Sequence, residues 1–257
     1  MSDAGREVPR GLRAEPAEPL AVLELGTVPY REAWALQQDL VVRRTSGELG
    51  DTVMLLEHPP VYTLGRRASD ANVLLDEPAL AAAGIEVVAV DRGGDVTYHG
   101  PGQLVVYPVV RLAGQRHVVD FVRTLEAVAI DALARLGVAG TRRDGLTGVW
   151  VGREKVVAIG VRVGAGGVTS HGLALNVDPD LTHFGGIVPC GLATEGVASL
   201  ASLGLSADMA DARLAMRDAL ARVLDARLVD ADPALLAAAT GPDGAPRHAT
   251  SEGMALR

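Results

Sequence analysis

Between Val149 and Val177, three apolar runs (Val149 to Val151, Lys155 to Val163 and Val168 to Val177) are separated only by the short turns G-R-E and G-A-G-G. Connections of this length suit antiparallel neighbours and leave no room for the crossover helix that parallel strands require. A doubly wound sheet is therefore disfavoured. Further strands are expected at Val53 to Leu56, Ile85 to Val90 and Leu104 to Val110. The clearest helix spans His117 to Leu136, where Phe121, Val122, Leu125, Val128, Ala129, Ala132, Leu133 and Leu136 form one stripe and Gly137 stands at the C-terminal cap. An earlier helix is expected to start at Thr27, before Pro29, to carry Tyr30, Ala33, Trp34 and Val41 on one face and to end near Arg43 and Arg44. A last helix is expected over Met209 to Leu228, with Met216, Leu220, Val223 and Leu224 inward. The stretch E-H-P-P-V-Y-T-L-G-R-R and the glycine-rich segment from Arg92 to Gln103 read as irregular. Helices early, midway and late among hairpin-joined strands predict an α/β (α+β) domain, a mixed β-sheet flanked by helices.

At 257 residues and 48% hydrophobic content the chain suits one sizeable core. A single domain is expected over residues 19–232. The Arg-, Glu-, Pro- and Ala-rich residues 1–18 and the Ala-, Gly-, Pro- and Ser-rich residues 233–257 are expected to be disordered. No run of 18 uncharged apolar residues occurs and the N-terminus lacks a signal-peptide layout, so no membrane role is expected and the cytoplasm is the expected compartment. A net charge of −8 argues against nucleic acid. Acidic protein partners would need local cationic patches, for which Arg43 with Arg44, Arg66 with Arg67 and Arg142 with Arg143 are the candidates.

Of 24 basic residues one alone, Lys155, is lysine. Arginine keeps its proton at any accessible pH, whereas a desolvated lysine can release one, so a lone lysine among arginines is a candidate for a site needing an amine. The other reading is a solvated charge at a hairpin tip. Cys190 is the only cysteine. It cannot form an internal disulfide or a cysteine-based zinc cluster. A lone cysteine serves as a small buried hydrophobe or as a nucleophile, and its place in P-C-G, a segment suited to neither strand nor helix core, favours the second.

His58, His99, His171 and His183 fall in loops or at strand ends, but no metal-ligand spacing occurs and no metal is expected. His171, alternating with Leu173 and Leu175, can also be a satisfied histidine on a sheet face, and His183 a surface one. The segment R-G-G-D-V-T-Y-H-G-P-G-Q lets backbone approach a ligand closely, or is simply a flexible turn. A Walker-type nucleotide loop is excluded, because the only lysine is followed by Val156.

Five blocks now stand in order: H-P-P-V-Y-T-L-G-R (His58 to Arg66), R-G-G-D-V-T-Y-H-G-P-G-Q (Arg92 to Gln103), G-R-E-K-V-V-A-I-G-V-R-V (Gly152 to Val163), S-H-G-L-A-L-N-V (Ser170 to Val177) and P-C-G (Pro189 to Gly191). Over about Leu20 to Leu228 the chain closely resembles the bacterial octanoyltransferase, or lipoyl(octanoyl) transferase, family. The resemblance implies a biotin/lipoate protein ligase-like fold. It implies transfer of an octanoyl group from octanoyl-acyl carrier protein to a lysine of lipoyl domains, those of 2-oxoacid dehydrogenase E2 subunits and of glycine cleavage H protein, with no cofactor. By the same resemblance Cys190 is the acyl-thioester nucleophile and Lys155 lowers its pKa. Arg92, Gly93, Gly94, Asp95, Val96, Thr97, Tyr98 and His99, with Ala158, Ile159 and Gly160 and with Gly172, Leu173 and Ala174, match the family's substrate-binding segments.

Overall fold

A computed structural model describes residues 11–114, 118–188 and 196–231. In chain order it comprises β1 (Leu20–Thr27), α1 (Tyr30–Ser46), β2 (Thr52–Glu57), β3 (Val61–Leu64), α2 (Glu77–Ala83), β4 (Glu86–Ala89), β5 (Val96–His99), β6 (Gln103–Val109), α3 (Val118–Arg135), β7 (Thr141–Arg143), β8 (Leu146–Val151), β9 (Glu154–Val163), β10 (Thr169–Asn176), α4 (Met209–Val223) and β11 (Leu228–Asp230). Eight strands form one sheet in the order β11-β1-β2-β6-β10-β9-β8-β7, and a smaller sheet has the order β4-β3-β5. β1 runs parallel to β2 and β11, while β2, β6, β10, β9, β8 and β7 pair antiparallel. The hairpin run between Val149 and Val177 supplies β8, β9 and β10, three of the six antiparallel strands.

Period-two alternation distributes the core. On β2, Val53 and Leu55 face α3 and α4 with Leu104 and Val106 of β6, while Met54 and Leu56 face α1 with Val105, Tyr107 and Val109. The smaller sheet stands on the α1 side. Tyr62, Val96 and Tyr98 pack outward beneath α2, and Val61 and Val88 pack inward on Tyr30 at the start of α1. The helices begin and end where their chemistry dictates. The Asp208 side chain and Asp211 form a reciprocal capping box on α4, and Gly137, at φ 80°, follows α3.

Several expectations need correction. β1 was not anticipated, and Thr27 closes that strand rather than opening a helix. The stretch read as irregular holds β3, and the glycine-rich segment holds β5; each is four residues long and is stabilised by pairing with the other. α2 and β7 were also missed. The last helix stops at Val223, because Asp225 takes φ 48° and turns the chain into β11. Residues 11–18 are not free of the domain: Arg13 is buried, and its Nε donates to Asp51 at 2.5 Å. Asp51 also accepts from Arg44 Nε (2.6 Å) and Arg111 N (3.0 Å), so one buried carboxylate ties the N-terminal segment, the end of α1 and the end of β6 together. Arg44 is thereby a structural residue and not a patch for a partner. No helix of the described residues is long and apolar enough to cross a membrane.

Candidate active site

Between the two sheets lies a cavity of about 390 Å³. Its floor is the α1-side face of β9 and β10, where the register sets Gly160 opposite Gly172 and Ala158 opposite Ala174. Two successive cross-strand pairs without bulky side chains leave a trough in a sheet whose other face is packed with Val157, Val161 and Leu175. Ile159 and Leu173, paired opposite each other between them, reach the cavity with their backbone while their side chains join the main core. Above the trough the segment from Arg92 to His99 contributes Arg92, Gly94, Asp95, Val96, Thr97 and His99. Lys155 stands where β9 begins.

Of the substrate-segment residues singled out from sequence, Gly93 and Tyr98 do not line the cavity. Alternation along β5 turns Tyr98 to the outer face of the small sheet, where its hydroxyl meets His183 Nδ1 at 2.8 Å and its ring stands edge-on to Phe184. His183 is accordingly a partly buried tether, not a surface residue. Asp95 is held by Asn72 Nδ2, at 2.7 and 2.9 Å to its two oxygens, and by the backbone N–H of Val96 at 2.7 Å.

Arg92 is 6% exposed and, among the described residues, forms no ion pair. Its Nη2 donates to the Thr63 carbonyl (2.6 Å) and hydroxyl (2.8 Å), and Nη1 to the Gly93 carbonyl (3.2 Å). Burial pushes its pKa below the usual arginine range. The surrounding glycines accommodate this side chain. A Cβ at Gly65 would fall 2.7 Å from Arg92 Nη1, and one at Gly160 would fall 3.1 Å from Arg92 Cδ. Part of the glycine content read as room for a ligand is thus room for Arg92.

The far end of the cavity from Lys155 is walled by Tyr30, Tyr107, His99 and His171, which sequence reasoning did not assemble. Burial pulls His99 well below the usual imidazole range, so the ring is neutral. Its Nδ1–H donates to Gln103 Oε1 (3.1 Å), Gln103 Nε2 donates to Asn176 Oδ1 (3.0 Å), and Asn176 Nδ2 to the Ala198 carbonyl (2.9 Å). Behind them His58, pulled down to about 4 by burial, donates from Nδ1 to the Val28 carbonyl (2.7 Å) and accepts at Nε2 from the Tyr107 hydroxyl (2.9 Å). His171 sits at φ 58°, a strained setting for a residue with a Cβ, fixed by Gln37 Oε1 on its backbone N–H (2.8 Å) and by Asp91 on its Nε2 (2.7 Å). That hydrogen bond is the main reason the Asp91 carboxyl lies below its usual range.

Cys190 lies outside the described residues. On its N-terminal side, Ile187 lines the cavity and Val188 N–H donates to the Asn72 carbonyl at 2.8 Å. On the other side, the Gly196 carbonyl accepts from Lys155 N–H (2.9 Å), Ala198 N–H donates to the Lys155 carbonyl (3.0 Å), and Val197 lines the cavity.

Comparison with known proteins adds three findings. Residues 29–221 match the family model described as the lipoyl protein ligase A/B catalytic domain. The chain is 49% identical over 216 residues to a protein named octanoyltransferase from Chloroflexus aggregans, covering 82% of this chain and 98% of that one. It is 53% identical over 176 residues to another so named from Rubrobacter xylanophilus, covering 68% and 79%. Among solved structures, Ta0514 of T. acidophilum, described as a putative lipoate protein ligase with bound lipoic acid, superposes with a TM-score of 0.69 at 16% identity over 86% of this chain and 94% of that one. A lipoate-protein ligase A bound with ATP gives 0.71 at 15% identity over 86% and 92%. At such identities the structures speak for the fold alone, and it is the lipoate-ligase fold.

Proposed function

The chain belongs to the lipoyl protein ligase A/B catalytic family and within it to the octanoyltransferases, and from that premise we propose that it moves the octanoyl group from octanoyl-acyl carrier protein to a lipoyl-domain lysine through a thioester on Cys190. The acceptors are the lipoyl domains of 2-oxoacid dehydrogenase E2 subunits and the glycine cleavage H protein. The observation that carries this reading is that Ile187 and Val197, on either side of the Cys190 segment, line the same cavity as the chain's only lysine.

In the first half-reaction the Cys190 thiolate attacks the donor's thioester carbonyl. A C–S bond to Cys190 forms, the C–S bond to the carrier breaks, and the carrier's thiol leaves. The Lys155 cation stabilises the thiolate, and Lys155 carries the thiol's proton to the leaving sulfur. In the second half-reaction the acceptor amine attacks the Cys190 thioester. The Cys190 C–S bond breaks as the amide forms, the amine's proton passes to the now neutral Lys155, and the thiolate is restored beside the ammonium. One thioester is exchanged for another and then for an amide, so no nucleotide is consumed.

The acyl chain lies in the trough over Ala158 and Ala174, alongside the Arg92 side chain that rests on Gly160. About six methylenes at ~0.8 kcal/mol each would contribute roughly 4–5 kcal/mol before entropic losses. The substrate segment Arg92 to His99 covers it, with Gly93 and Tyr98 contributing to the segment's shape.

The test is an octanoyl transfer assay from carrier to a lipoyl domain in nucleotide-free buffer. Wild-type enzyme should label the domain and Cys190→Ala should not. Lys155→Arg should fold and yet lose at least about a hundredfold, since arginine keeps the charge and cannot relay the proton. Transfer that requires ATP, or that survives in Cys190→Ala, would overturn the reading.

A further inference from the structure

Lys155 is set by groups that take no part in the chemistry above. Trp150 on β8 is fully buried and pairs with Lys155 across the β8–β9 ladder, next to a shift in register. The Lys155 Nζ lies 4.8 Å from the centre of the Trp150 ring, inside the ~6 Å over which an aromatic face attracts a cation. Beneath the lysine stem is Gly148, at φ 126°, where an added Cβ would fall 2.5 Å from the Val157 carbonyl and 3.4 Å from Lys155 Cε. The bare backbone there is required by the Val157 carbonyl, and the lysine stem packs over it at van der Waals distance. Gly148 N–H donates to Glu126 Oε1 at 3.2 Å. Glu126 is completely buried on α3 and also accepts from Arg123 Nη1 (2.9 and 2.7 Å) and Arg142 Nε (3.0 Å).

The indole N–H of Trp150 has no hydrogen-bond partner among the described residues. A buried donor without an acceptor is a cost that phenylalanine would not incur. Hydrogen-bond satisfaction therefore favours phenylalanine at this position, whereas of all the aromatics tryptophan offers a cation the best face.

We propose that Trp150 is a positioning residue: its ring face holds the Lys155 ammonium at the cavity, with Glu126 and Gly148 fixing the strand on which ring and lysine meet. This rests on the reading of Lys155 as the cation that activates Cys190. A lysine side chain has four rotatable bonds, and a thiolate gains little from a cation that wanders.

Cys190 is the only cysteine, so total alkylation of the protein by iodoacetamide, with thiolate displacing iodide, reports on it alone. At a fixed pH, Trp150→Phe should slow this about threefold and Trp150→Leu about twentyfold. Lys155→Ala should slow it at least as much as Trp150→Leu, and adding Trp150→Leu to Lys155→Ala should change nothing further. Circular dichroism and thermal unfolding check the fold; if the leucine variant does not fold, the same cycle is run with Trp150→Phe. Wild-type alkylation in Trp150→Phe, or additive losses in the double variant, would overturn the proposal. Unchanged alkylation in Lys155→Ala would instead overturn the role of Lys155 itself, which separates the two failures.

Discussion

β9 and β10 have two faces built to opposite ends. Toward α3 and α4 they carry Val157, Val161 and Leu175, all buried in the main core. Toward the smaller sheet the intervening positions are Ala158 and Gly160 opposite Ala174 and Gly172. The backbone is shared and only the parity differs. One face is filled to hold the sheet on its helices, and the other is kept low, which leaves the trough proposed above for the acyl chain. The cost of the open face falls on its margins, where buried polar groups (Arg92, His99, His171 and His58) need their own hydrogen bonds.

The largest effect should come from exchanging the two kinds of position. Ala158→Phe places a ring in the trough and should lower octanoyl transfer by a hundredfold or more while leaving the melting temperature near wild type. Leu175→Ala should do the reverse, costing about 2–5 kcal/mol of stability while transfer measured well below the melting temperature stays within a few-fold. Equal loss of activity from both would erase the functional difference between the faces.

Next in size is the acid response of the polar margin. His58 is held near 4 in the folded protein against an ordinary value of 6.5. As pH falls through 6.5 the unfolded chain takes up a proton that the folded one refuses, so stability drops progressively between 6.5 and about 4. For one such histidine the loss approaches about 3 kcal/mol. His58→Gln should remove about one proton's share of this slope in urea titrations from pH 7 to pH 4, and an unchanged slope would contradict the assignment.

The smallest effect concerns the rim. Of the three arginine pairs considered from sequence, Arg44 is bound to Asp51 and Arg142 to Glu126, whereas Arg66 and Arg67 are exposed and Arg67 borders the cavity. Reversing both charges should raise KM for the acidic carrier-bound donor about tenfold, less at high salt, with kcat nearly unchanged. No effect on KM at low salt would remove this surface from the account.

What could be read in advance follows physical lines. The β8–β10 hairpins and α3 depend on local periodicity and short turns, and both were legible. β3 and β5 are four-residue strands set among proline and glycine, and their stability comes from each other across some thirty intervening residues. No local pattern announces that. β1 likewise draws its place from β2 and β11. At the site, Lys155 and the trough residues were visible as motifs, while Tyr30 and Tyr107 look like any core aromatic until the sheets are stacked. Tyr98 could have been set aside from sequence, because alternation along V-T-Y-H puts it opposite to Thr97 and His99, which line the cavity.

The central claim is that the acyl group pauses on Cys190 beside Lys155. Enzyme mixed with octanoyl-acyl carrier protein in the absence of acceptor, quenched in acid and analysed by intact and peptide mass spectrometry, tests it directly. The account predicts one octanoyl increment, confined to the peptide containing Cys190, labile to hydroxylamine and discharged on adding a lipoyl domain. A competent enzyme that shows no adduct under these conditions, or carries it on any other residue, would contradict it.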